Sequence, residues 1–303
     1  MSFKKKGFIF QNNSSLWWSK KYAGLPTVEL LNEETLRIYY YSMTDNMDGR
    51  IAFIDVEAAN PANIIHVEKE PVLDIGEIGM FDDSGVCPSA IFVWKGKKYM
   101  SYLGVQRAEK VPYLYFAGLA VENADGRFER VQKIPVLDRT PAEPYSRSAT
   151  TVLTTETGLK MWYVSVFDWF SWNNKLYPKY NIRLAESTDG INWKPKEKDL
   201  LLWESEFEFG FGRPWVMEED GIYKLYYSIR STNEPYKMGY AESVDGEVWI
   251  RKDDEFILER SAEGWDSEMV CYPSIVNTKY GKYLFYNGNS HGATGFGYAK
   301  WEQ

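Results

Sequence analysis

A chain of 303 residues with 44% hydrophobic side chains is long enough for one large all-β domain and apolar enough to bury a core. Its net charge of −8, spread along the chain, excludes the basic surface that a nucleic-acid partner needs, and no stretch has the apolar length of a membrane span. Cys87 and Cys271 form neither a disulfide framework nor a metal spacing, and the apolar run in the N-terminal MSFKKKGFIFQNN is too short for a signal peptide, so a cytoplasmic protein is expected.

Taken in order, GFIFQ (7–11) reads as a strand ahead of a repeat with a period of about 60 residues. Each repeat begins at a proline or small residue that opens a short apolar run: Pro26, Pro88, Ala149, Pro214 and Pro273. An aromatic-rich strand follows, at RIYYYS (37–42), KYMSYLG (98–104), KMWYVS (160–165), KLYYSIR (224–230) and KYLFYNG (282–288). The pieces between, such as KGKK and EEDG, are hairpin turns by composition. A third strand comes next, at RIAFIDVE (50–57), LYFAGLAVE (114–122), NIRLAES (181–187), MGYAES (238–243) and GFGYAKW (295–301). In the middle three repeats it runs into NADGRF, STDGINW or SVDGEVW, where Asp-Gly supplies the positive φ of a tight turn before a fourth strand.

Five repeats of four strands spell an all-β, five-bladed β-propeller with four-stranded antiparallel blades. A long β-sandwich does not give five repeats in phase. One domain over 1–303 is expected, with blades at about 20–75, 80–138, 143–203, 208–260 and 265–303. The fifth repeat ends before its fourth strand, and the strand at 7–11 is expected to complete it.

In a propeller, the loops leading into the first strands and those joining second to third strands open on one face. A carboxylate precedes the opening residue in four repeats: Asp82 with Asp83, Glu143, Glu208, and Glu268 with Asp266. The first repeat has Lys20 and Lys21 there. These acids are expected to converge on the axis, with Arg147 and Arg213 offsetting their repulsion. The second-to-third loops add Gln106, Arg107, Asp168, Trp169, Arg230, Asn287, Asn289 and His291. A Trp in such a loop can stack on a sugar ring. One well-placed histidine argues against a Ser-His-Asp triad or a multi-histidine zinc site. Both cysteines read as packing residues. Paired carboxylates with few histidines suit glycosidic chemistry, one acid protonating the leaving oxygen while another attacks or activates water. Arg147, Arg213 and Arg230 are expected to hold an anionic group such as a sugar carboxylate or phosphate. No calcium-loop motif is present and no metal ligands are assigned, although oxygen ligands at the axis are plentiful enough to admit a metal; no cofactor is expected.

FDDSGVCPSAI (81–91), FGFGRPWV (209–216), the STDGINW and SVDGEVW turns, and WDSEMVCYPSI with YNGN (265–275, 286–289) together resemble the five-bladed propeller superfamily. That superfamily includes glycoside hydrolase families 32, 43, 62 and 68 and the phosphorylase family 130. The resemblance covers essentially the whole chain. It implies a base or nucleophile in the first blade, a supporting Asp in the second and a general-acid Glu in the third. Asp82 or Asp83 stands loosely at the second position and Glu143 at the third. The first-blade acid is absent: that strand reads KKYAGLPTV, and the nearest carboxylate, Glu29, lies beyond Pro26. Glu208 or Glu268 would then replace the base. The implied function is an enzyme cleaving or transferring a glycosyl group. The alternative is a non-catalytic propeller of polysaccharide metabolism that binds a saccharide or a nucleotide sugar.

Overall fold

The computed structural model of the chain describes residues 2–12 and 15–302. The alternating apolar runs form strands almost throughout. β1 (Ser2–Phe10) comes first. β2 (Lys21–Asn32), β3 (Thr35–Met43), β4 (Gly49–Glu57) and β5 (Ile64–Val67) then pair antiparallel in chain order. The same order recurs in β6 (Gly85–Trp94), β7 (Lys97–Arg107), β8 (Tyr113–Glu122) and β9 (Phe128–Arg130). It recurs again in β10 (Arg147–Thr155), β11 (Gly158–Trp172), β12 (Lys175–Ser187) and β13 (Lys194–Pro195). The next group is β14 (Glu208–Glu219), β15 (Ile222–Ser231), β16 (Lys237–Ser243) and β17 (Ile250–Arg251).

The last group holds β18 (Cys271–Thr278), β19 (Gly281–Asn287) and β20 (Phe296–Glu302). Its fourth place is taken by β1, antiparallel to β20 from Ser2↔Glu302 to Phe10↔Phe296. The N-terminal strand thus completes the last group as expected, although it runs over 2–10 rather than 7–11. Turn chemistry sets the hairpins: Lys95 and Gly96, and Asp220 and Gly221, all have positive φ, the primed-turn geometry that matches strand twist.

The opening residue of each repeat is not where its first strand begins. The strand runs through it and bulges there. Register breaks fall between Gly24 and Thr27, Pro88 and Ala90, Ser148 and Thr151, Gly212 and Trp215, and Cys271 and Ser274. Proline has no N–H to donate to the ladder, so the pairing opens at that point. Leu25, Ala149, Arg213 and Tyr272 adopt positive φ at these bulges, which turns their side chains away from the regular alternation.

Apolar clusters lie between consecutive groups. Tyr39 and Phe53 pack with Met100 and Phe116, Phe92 and Leu119 with Met161, Ile182 with Leu225, and Tyr226 with Ile275 and Leu284. The first group also packs on the last, Leu36 and Ile54 sharing a cluster with Phe285 and Tyr298. No helix among the described residues is long and apolar enough to cross a membrane.

Phe3 and Ile9 of β1 are buried, and Lys5 donates to Asp266 at 2.6 Å. Burying two such side chains is worth about 1.5–3 kcal/mol each. A chain lacking residues 2–10 is therefore expected to melt roughly 10 °C lower, as measured by thermal denaturation followed by circular dichroism.

Candidate functional site

The bulged first strands from all five groups line one cavity of about 470 Å³, contributing Leu25, Cys87, Ser148, Arg213 and Tyr272. That volume lies within the ~300–1,000 Å³ of typical small-molecule sites. The wall is largely aromatic. Tyr22, Tyr41 and Tyr272 come from the first and second strands, and Tyr113, Tyr115, Tyr177, Tyr180 and Tyr236 from the segments that begin or lead into third strands. Among the described residues, no Asp or Glu lines it.

Four of the residues singled out from sequence do line the cavity: Trp169, Arg213, Arg230 and His291. Arg213 reaches from β14 to two other groups. Its guanidinium donates to the Ser89 carbonyl of β6, and to Thr27 Oγ1 at 2.7 Å and the Pro26 carbonyl at 3.4 Å, both in β2. Burial without a carboxylate pushes its pKa down to about 9, because the charged form loses hydration that neutral acceptors only partly replace. Arg230 is also buried and sits among rings, its Cζ 4.7 Å from the Phe209 centroid and 5.1 Å from that of Tyr236. Trp169 lies 6.1 Å from Tyr113, centroid to centroid.

His291 stands on a short turn, Asn289–Gly292, with φ of 59°. Its Nδ1 is 3.2 Å from the Tyr272 hydroxyl. Burial first, and then the charge of Arg230, lower its pKa to about 4, so it is neutral at neutral pH.

The expected convergence of acids on the axis does not occur. In the second, third and fifth repeats the acid ahead of the first strand accepts instead from a buried tyrosine of the second strand. Tyr102 donates to Asp82 at 2.9 Å, Tyr163 to Glu143 at 2.8 Å and Tyr286 to Asp266 at 2.9 Å. Each acid also meets a cation. Arg130 Nε is 2.7 Å from Asp82, Lys5 Nζ 2.6 Å from Asp266, and Arg147 and Arg183 lie 3.5 and 3.7 Å from Glu143. Ser165 adds a 2.6 Å bond to Glu143. In the fourth repeat, Tyr227 donates to Asp253 and Glu208 takes a two-pronged contact from Arg251 at 2.8 and 2.9 Å. Burial opposes the charge of Glu208, but the Arg251 hydrogen bonds outweigh it and hold the carboxyl below its ordinary range.

The remaining candidates lie outside the cavity wall. Asp83 accepts from the Gly79 amide at 3.0 Å and the Ser84 hydroxyl at 2.8 Å, closing its own loop. Glu268 is exposed, and its amide donates to Asn289 Oδ1 at 2.7 Å. Asn287 ties β19 to β2, donating to the Ala23 carbonyl at 3.0 Å and accepting from the Leu25 amide at 2.7 Å. Arg107 pairs with Asp48 at 2.7 Å, and exposed Asp168 accepts from the Trp169 amide at 2.8 Å.

The cavity tyrosines escaped the sequence reading. YLY (113–115), YPKY (177–180) and NEPY (233–236) recur in phase at or just before the third strands of three repeats, and that recurrence was the available signal.

Two outcomes follow. Asp82 is fully buried between Tyr102 and Arg130, so Asp82→Asn is expected to cost roughly 3–5 kcal/mol in urea denaturation, as breaking a buried ion pair does. For His291 the folded pKa lies below the ordinary 6.5, so the unfolded chain binds the proton first as pH falls. Stability is then lost between about pH 6.5 and 4, by up to roughly 3 kcal/mol. His291→Asn, which tolerates positive φ, is expected to flatten that part of the stability–pH curve.

No family sequence profile matches the chain. It is 29% identical over 299 residues, 99% of each chain, to uncharacterized protein Rv1502 of Mycobacterium tuberculosis (strain ATCC 25618 / H37Rv). Among solved structures it superimposes on one described as a glycoside hydrolase with a TM-score of 0.73, at 17% identity, covering 97% of this chain and 90% of the other. A thermostable family-43 glycoside hydrolase gives 0.66 at 17% identity, covering 97% and 94%. A structure from the GH130 family of mannoside phosphorylases, described as containing glycoside hydrolases that target β-1,2 mannosidic linkages in Candida mannan, gives 0.70 at 14% identity, covering 99% and 94%. The chain therefore has the propeller fold of the glycoside hydrolases, as its sequence resemblance implied.

Proposed function

We propose that residues 1–303 form a single five-bladed propeller, with blades at 20–75, 80–138, 143–203, 208–260 and 265–303 plus the N-terminal strand. Its axial cavity binds a saccharide or an anionic sugar derivative without two-carboxylate chemistry. The blade count is supported by the five strand groups and by the packing of the first group on the last.

One observation carries the binding reading: among the described residues, the cavity has aromatic walls and two buried arginines but no carboxylate. Glycosidic cleavage by the usual route needs two carboxyl groups flanking one bond. Glu143 spends both oxygens on Tyr163 and Ser165, Glu208 both on Arg251, and Asp82 and Asp266 each commit Oδ2 to a tyrosine and a cation, while the Oδ1 of Asp82 is buried without a donor among the described residues and outside the cavity wall. The catalytic assignment to Asp82, Asp83, Glu143, Glu208 or Glu268 thus draws no support from the geometry. Carbohydrate is the ligand class because the fold neighbours are glycoside hydrolases and because Trp169 and Tyr113 offer ring faces for stacking.

The test is a thermal-shift screen of neutral sugars, sugar phosphates and nucleotide sugars, followed by calorimetry on the hits. Trp169→Ala is expected to weaken the best hit about tenfold. A bound glycoside is expected to be recovered intact after incubation. Hydrolysis by the wild type that a folded Glu143→Gln variant lacks would refute the binding reading and restore the enzymatic one.

A further inference from the structure

We infer that Arg230 is the anion-binding subsite of this cavity and that the ligand is a sugar carrying a carboxylate or phosphate group. The inference rests on the saccharide-binding reading for the sugar but not for the anion.

The other buried arginines face a carboxylate of the chain itself, Arg50 meeting Asp74 at 2.7 Å and Arg147 lying 3.5 Å from Glu143, and so do the half-buried ones. Arg37 meets Asp55 at 2.8 Å, Arg130 meets Asp82 at 2.7 Å, Arg183 meets Asp199 at 2.7 Å and Arg251 meets Glu208 at 2.8 Å. Among the described residues, Arg213 and Arg230 have no such partner, and both line the cavity. They differ in what their donors do. Arg213 spends its terminal nitrogens on fixed acceptors in β2 and β6, so it is a strut across the floor. The buried Nε has no acceptor in either, but the terminal nitrogens of Arg230 make one long bond, from Nη1 to the Tyr180 hydroxyl at 3.4 Å, and among the described residues meet no acceptor of the first strands.

Glu234, the nearest acid in sequence, and the two acids of the Arg251 cluster in the same repeat are committed elsewhere. Glu208 and Asp253 both bind Arg251, and Glu234 binds Lys237 at 2.8 Å. A buried charge left in that state is costly. The faces of Phe209, Tyr236, Tyr177 and Tyr180, all within 5.8 Å of the guanidinium carbon, offset part of the cost but supply no anion. What completes the site is a group with two oxygens that accepts from Nε and a terminal nitrogen together, the pairing that carboxylate and phosphate make with a guanidinium. Tyr236 and Tyr113 remain protonated, because burial raises both above the ordinary tyrosine value, and so they add no competing negative charge.

Melting temperature is the readout, with inorganic phosphate and acetate as minimal probes at about 50 mM against chloride at matched ionic strength. Wild type is expected to gain roughly 2–4 °C over chloride from one or both anions. Arg230→Met and Arg230→Gln, either of which suffices if the other fails to fold, are expected to lose that gain. No gain over chloride in wild type, or a gain that the variants keep, overturns the assignment. Phosphate alone acting points to a sugar phosphate, and acetate alone to a sugar acid. Glucose, glucose 1-phosphate and glucuronate, run in parallel, separate the two readings. Neutral sugar bound equally by wild type and variants, with no anion effect, leaves the saccharide reading standing and removes this one. An Arg230-dependent anion effect with no sugar bound does the reverse.

Discussion

The bond from a buried tyrosine hydroxyl to a buried carboxylate organises much of this structure. It recurs in the second, third and fifth repeats at Tyr102–Asp82, Tyr163–Glu143 and Tyr286–Asp266. A carboxylate taken out of water needs donors on its oxygens and a cation close by. Here a phenol supplies one donor, and Arg130, Arg183 with Arg147, or Lys5 supplies the charge. Burial and the neighbouring carboxylate raise all three phenols well above the ordinary tyrosine value, so the donors stay protonated across any physiological pH. In those three repeats, acids held this way fix the loop ahead of the first strand to the second strand behind it. They are then unavailable to the cavity, whose electrostatics are left to two arginines and a neutral histidine.

The second constraint is the bulge carried by every first strand. A proline or small residue interrupts the ladder, and the residue beside it turns toward the centre. At Arg213 this yields a cross-brace joining three groups through one guanidinium. A hydrocarbon side chain of the same length would pack there with less desolvation cost, but it would not tie β14 to β2 and β6 by directed bonds. The floor of the cavity is thus set by polar geometry, and its walls by aromatic packing.

Strand positions, turns and the closing of the last group by the N-terminal strand were legible in the sequence, because each is written locally. Aromatic runs, Asp-Gly pairs and a missing fourth strand all sit within a few residues of the structure they produce. The site was legible only in part. Arg213, Arg230, Trp169 and His291 line the cavity because the repeat places first strands and second-to-third loops at the axis. The acids were misplaced because phase alone does not say whether a side chain points to the axis or toward its own second strand. That choice depends on the tyrosine waiting there, which the sequence shows as just another aromatic in a strand. Asn287 was misplaced for a related reason. Its amide satisfies backbone groups of the first repeat, more than 250 positions away in the chain.

The pairing of β1 with β20 also orders events in time. Ser2 finds Glu302, so β1 has no partner until β20 has been made. Contacts of such sequence separation raise the contact order and slow folding. Until then β1 is an unpaired edge, and Phe3 and Ile9, which later pack against the fourth and the first groups respectively, are uncovered, the condition under which strands join neighbouring chains. The charged residues Lys4, Lys5 and Lys6 in that strand act during this interval as well as afterwards, since lysines on an open edge discourage pairing with another copy.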